Sequence, residues 1–100
     1  MDIAELTDKL HDFVRSKGWY EVDSKRPQTP RNLSISLALE AAEILEHFQW
    51  NEAFDRDDLA EELADVALYL LQLASISGID LEEAILKKLE VNAKREWDDK

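Results

Sequence analysis

Among the 23 acidic residues of this 100-residue sequence, four carboxylates stand out by their spacing. Glu40 and Glu43 are three apart, and so are Glu62 and Asp65, so each pair shares one face of a helix if its segment is helical. A short connection joins the two segments. In an antiparallel hairpin Glu40 then faces Asp65 and Glu43 faces Glu62, about one common midpoint. Four acids at one height among leucines repel one another and lose hydration, which disfavours their charged forms. A bound cation removes that conflict. All-oxygen ligation selects a hard ion, and magnesium readily shares its shell with the oxygens of a phosphate-bearing substrate. With no cysteine and only His11 and His47, a zinc site is not expected. The competing reading is a pair of solvent-facing acidic couples on amphipathic helices, and spacing alone leaves both open.

The elements that must position these acids are helices. Ile3, Leu6, Leu10 and Phe13 form the apolar stripe of a first helix, predicted from about Ile3 to Lys17 and stopped by Gly18. The polar stretch from Trp19 to Pro30 holds both prolines and reads as a loop. Thr29 as N-cap and Pro30 in the first turn open a second helix, predicted to reach about Trp50, with Leu33, Leu37, Ala41, Ile44 and Phe48 on one face. Negative charge suits a helix N-terminus, so Asp55-Arg56-Asp57-Asp58 opens a third. On it Leu59, Leu63, Val66, Leu70 and Leu73 recur at spacings of four and three, up to Gly78. Asp80 with Glu83 signals the cap of a fourth, whose inner face is Leu81, Ile85 and Leu89.

No alternating strand pattern occurs, so the chain is expected to be all-α: a four-helix antiparallel bundle in one domain over residues 1–100. Whether the bundle closes within one chain or is completed by a second is not readable from the sequence. Small size and surplus apolar positions, Val14 beside Phe13 and Leu71 beside Leu70, favour a homodimer or homotetramer.

A net charge of −11 repels nucleic-acid backbones, so no nucleic-acid partner is expected. No apolar run approaches the roughly 20 residues that span a bilayer, so no membrane is expected either. The opening Met1-Asp2-Ile3-Ala4-Glu5 lacks the basic-then-apolar order of a secretion signal, which points to the cytoplasm. Without cysteine, disulfides and thiol nucleophiles are excluded.

Pro30-Arg31-Asn32-Leu33, followed by Ala38-Leu39-Glu40-Ala41-Ala42-Glu43-Ile44-Leu45-Glu46-His47-Phe48-Gln49-Trp50, resembles the first metal-binding helix of MazG-type nucleotide pyrophosphohydrolases. Glu61-Glu62-Leu63-Ala64-Asp65-Val66-Ala67-Leu68-Tyr69-Leu70 resembles the second. The resemblance runs from Phe13 to Trp97 and is nearest the short, dCTP-pyrophosphatase-like branch. It implies a magnesium-dependent hydrolase, with manganese as a substitute ion, that turns a nucleoside triphosphate and water into monophosphate and pyrophosphate. dCTP and modified nucleotides are then candidate substrates. Glu40, Glu43, Glu62 and Asp65 become the metal ligands, in agreement with their register, and Glu40 the candidate general base.

Lys88, Asn92 and Arg95 follow at spacings of four and three on the fourth helix, where the family carries a similar pattern. Two cations and an amide suit phosphate oxygens, although a basic last turn also complements the helix dipole. Trp19, Trp50 and Tyr69 are the aromatic candidates for stacking on a base, with Tyr69 one turn beyond Asp65. Two departures touch the expected base pocket. Tyr20 to Thr29 is several residues longer than in short members of that branch, and Leu10 stands where they place a histidine, with His11 adjacent. The alternative function is a non-catalytic helical module that binds nucleotide or another protein.

Overall fold

The computed structural model describes residues 1–96; Trp97, the far end of the resemblance, lies outside the described residues. Four helices follow in order: α1 (Ile3–Ser16), α2 (Pro30–Glu46), α3 (Arg56–Ile76) and α4 (Leu81–Lys94), with no strand among the described residues. The chain is all-α, as expected.

Each helix begins where a short polar side chain satisfies a backbone N–H that has no partner within the helix. Asp2 accepts from Glu5 N at 2.8 Å and Thr29 from Asn32 N at 3.1 Å. Asp55 accepts from Asp57 N and Asp58 N, and Asp80 from Glu83 N at 3.0 Å. Such caps contribute about 1 kcal/mol each. α1 and α3 end on Gly18 and Gly78, with φ of 72° and 71°. In both, the residue after the glycine bonds back five positions: Trp19 N donates to Val14 O, and Ile79 N to Ala74 O. That paired closure requires a left-handed residue, which is costly for any side chain with a Cβ.

α2 and α3 form the tightest helix pair, a hairpin, and α1 packs on α3. The core lies where these three meet: Leu10 and Val14 from α1, Leu33 from α2, and Ala74 from α3 are buried, together with the polar Gln72. Two expectations need correction. α2 ends at Glu46, four residues before Trp50, because residues 47–50 turn rather than continue the helix. The predicted inner face of α4 is not covered within the chain: Ile85 is 43% and Leu89 60% exposed. The physical cause is direction, since α4 leaves α3 at a bend of 102° and touches it little. The radius of gyration, 16.3 Å, accordingly exceeds the roughly 13 Å of a closed 100-residue domain. No single helix among the described residues is long and apolar enough to cross a membrane.

Candidate metal centre

Antiparallel packing of α2 on α3 brings the predicted acids together. Ligand atoms of Glu40, Glu62 and Asp65 all lie within 4.8 Å of one another, Glu40 and Glu62 half-buried and Asp65 exposed. Glu43, also half-buried, is not one of that close set but acts on the carboxyls of both Glu40 and Glu62. Partial burial raises the carboxyl of Glu40 above its ordinary value, and its interactions with Glu43, then the charges of Asp65 and Glu62, push the same way. Glu62 is raised for the same leading reasons, opposed in part by His47. The His47 Nε2 to Glu62 Oε1 distance, 3.9 Å, is too long for a hydrogen bond.

These groups fit a hard divalent ion. The donors are all carboxylate oxygens, their charges conflict without a cation, and Glu62 Oε2 is buried with no protein donor reaching it.

Beside the cluster opens a cavity of about 410 Å³, within the range of small-molecule sites. Asp65 lines it and is thus common to both features. Apolar walls come from Leu10, Phe13, Val14, Leu33 and Leu68, the predicted aromatics Trp19 and Tyr69 contribute rings, and Gln28, Asn32 and Gln72 contribute amides. Trp19 is held edge-on by Phe13, with ring centroids 5.7 Å apart, while the Arg26 guanidinium sits 5.8 Å over its ring.

Trp50 is not brought to this cavity. It is 86% exposed in the connection between α2 and α3, so it is not a core residue of the chain. Lys88, Asn92 and Arg95 do not line the cavity either. Arg95 is the C-cap of α4, with φ −83° and ψ 140°, so the chain leaves the helix after it.

Sequence reasoning passed over His11, Tyr20, Gln28 and Gln72 as a connected set. The two departures, the long Tyr20–Thr29 segment and His11 beside Leu10, are its signals in the sequence, but neither names a partner. In the structure that segment folds against the cavity. Tyr20 Oη lies 2.6 Å from His11 Nδ1 and accepts from Gln72 Nε2 at 3.2 Å. Gln28 Oε1 accepts from the same Gln72 nitrogen at 2.7 Å.

A model of the MazG-like family matches residues 35–100. Human dCTP pyrophosphatase 1 is 34% identical over 98 aligned positions, covering 87% of this chain and 55% of that protein. A dATP/dGTP diphosphohydrolase of cyanophage S-2L is 41% identical over 56 positions, 56% of this chain and 53% of that one. The chain therefore spans about half the length of the curated relatives it matches. A crystal structure of a pyrophosphatase from Archaeoglobus fulgidus superposes with a TM-score of 0.73 at 38% identity, covering 89% of this chain and 86% of that one.

Proposed function

Because the chain belongs to the MazG-like family, we propose that it is a nucleoside triphosphate pyrophosphohydrolase that releases pyrophosphate and leaves the monophosphate. The observation that carries this reading is the double membership of Asp65, in the carboxylate cluster and in the cavity wall. A nucleotide whose base and sugar occupy the cavity presents its phosphates to the acids.

Glu40, Glu43, Glu62 and Asp65 would hold magnesium, or manganese in its place. When bound, the ion supplies charge neutralisation and polarisation of the phosphoryl oxygens. Glu40 is the candidate for the base that takes a proton from the attacking water. Trp19 and Tyr69 offer rings at the cavity wall for the base. Lys88, Asn92 and Arg95 are proposed to contact phosphate oxygens, and Trp50 to border the base, both reaching the site on assembly rather than within one chain. dCTP and modified nucleotides are candidate substrates, and the cytoplasm the proposed compartment.

The test is product identity. Incubated with magnesium and a panel of canonical and modified (d)NTPs, the protein should yield monophosphate and pyrophosphate by chromatography. Nucleoside diphosphate with orthophosphate as the main products would exclude this chemistry.

Assembly follows from the uncovered apolar surface. Ile85, Leu86, Leu89 and Val91 on α4, and Leu39, Leu45 and Leu63 on the hairpin, are all more than two-fifths exposed. Burying such side chains contributes about 1.5–3 kcal/mol each, so a second copy is the favoured cover. Light scattering at micromolar concentration is expected to give the mass of two or four chains. An active monomer would contradict this.

A further inference from the structure

The geometry points to Gln72 as the residue that selects the base in this cavity, taking bases whose reading edge carries an exocyclic amino group and refusing those with a keto oxygen there. The inference rests on the nucleotide-hydrolase reading above.

Gln72 stands on the α3 stripe Asp65, Tyr69, Gln72, all three lining the cavity. It is two turns, about 10 Å, from Asp65, with Tyr69 between. A nucleotide with its phosphates at Asp65 and its base against Tyr69 brings the far edge of the base to Gln72. Gln72 is also the most buried of the cavity's amides, at 2% exposure, where an unmatched polar group is most costly.

A glutamine side chain can in principle present either its oxygen or its nitrogen. Here a chain of contacts decides. The carbonyl of Arg26 can only accept, and Gln28 meets it with Nε2 at 2.6 Å. Gln28 therefore turns Oε1, another pure acceptor, toward Gln72, which must answer with Nε2 at 2.7 Å. The second hydrogen of that nitrogen goes to Tyr20 Oη, 3.2 Å away. Tyr20 is in turn held at 2.6 Å by His11, whose Nε2 meets Ser75 Oγ at 2.7 Å. Either tautomer of His11 leaves the tyrosine oxygen able to accept.

Both hydrogens of Gln72 are thus engaged by protein, and what it has left for a ligand is a carbonyl oxygen. An acceptor at that point binds an amino hydrogen and repels a keto oxygen. Of the other polar wall groups, Asn32 Nδ2 is tied to Pro27 O at 2.9 Å, the Ser36 hydroxyl rotates to donate or accept, and the cationic donors are Lys25 and Arg26, the latter held over the Trp19 ring. The long Tyr20–Thr29 segment acquires a purpose, since it supplies both partners that orient Gln72.

The experiment compares dCTP with dUTP and dATP with dITP, reading kcat/KM for pyrophosphate release. Binding of the α,β-imido analogues with magnesium is read in parallel by tryptophan fluorescence. Wild-type protein should favour the amino member of each pair by about tenfold to a hundredfold. Gln28→Ala frees one Gln72 hydrogen and lets the amide turn, so the ratio should fall to about threefold or less. Gln28→Glu still accepts from Gln72 but loses the bond to the Arg26 carbonyl, so it should retain more of the wild-type ratio than Gln28→Ala does. No amino preference in the wild type, an unchanged ratio in Gln28→Ala, or equal loss in Gln28→Glu overturns the inference. If the analogues bind with the amino preference but no triphosphate releases pyrophosphate, the hydrolase reading falls and the role of Gln72 stands.

Discussion

Asp65→Asn and Glu43→Gln are each expected to abolish turnover, lowering kcat by about a thousandfold or more. Removing a single well-placed electrostatic group from an active site costs about a hundredfold to a thousandfold, and these residues would anchor the ion itself. Asp65 is the sharper case because it serves both cluster and cavity. Glu43 is the more informative, since it acts on both of the carboxyls that are raised. A glutamine there removes one like charge and adds an amide donor, so repulsion in the metal-free protein falls. The metal-free Glu43→Gln variant should therefore melt at or above the wild-type temperature at neutral pH, while gaining little from magnesium. Wild-type turnover in either variant would remove these residues from the site, and a collapsed melting temperature in Glu43→Gln would make its role structural.

Magnesium is expected to reverse the pH dependence of stability. In the metal-free protein the carboxyls of Glu40 and Glu62 are raised above the ordinary 4.5. The folded state then holds protons that the unfolded chain releases, so this contribution is complete below about pH 4.5 and is lost as pH rises through the raised values. With the metal chelated, melting temperature should decline from about pH 4.5 toward neutral. The ion binds deprotonated carboxylates, so its stabilisation grows over the same interval. At a hundred times its dissociation constant a ligand adds about 2.7 kcal/mol, or about 10–20 °C for a domain of this size. Scans at fixed protein concentration, with chelator and with magnesium, measure both slopes. Parallel curves would mean that no ion binds at the cluster, which is what a plain helical interaction module predicts.

The local architecture was legible in the chain itself. Asp2, Thr29, Asp55 and Asp80 cap the helices, and Gly18 and Gly78 close two of them, because the relevant bonds run between residues only a few positions apart. The acid cluster was legible for a related reason. Its register needs only the helical repeat and a short antiparallel connection, both properties of a continuous stretch.

Tertiary structure decided what depends on partners distant in sequence. His11 meets Ser75 across 64 positions and Gln72 meets Gln28 across 44, so the direction in which the Gln72 amide presents itself had no trace in spacing. Trp50 read as the end of a metal helix, yet a turn after Glu46 carries it away from the cavity. The stripe Leu81, Ile85, Leu89 read as an inner face, and periodicity does establish that it wants cover. Which chain provides that cover depends on the 102° departure of α4 from α3. A helical repeat determines which side chains share a face, but the path of the chain between helices determines what that face meets.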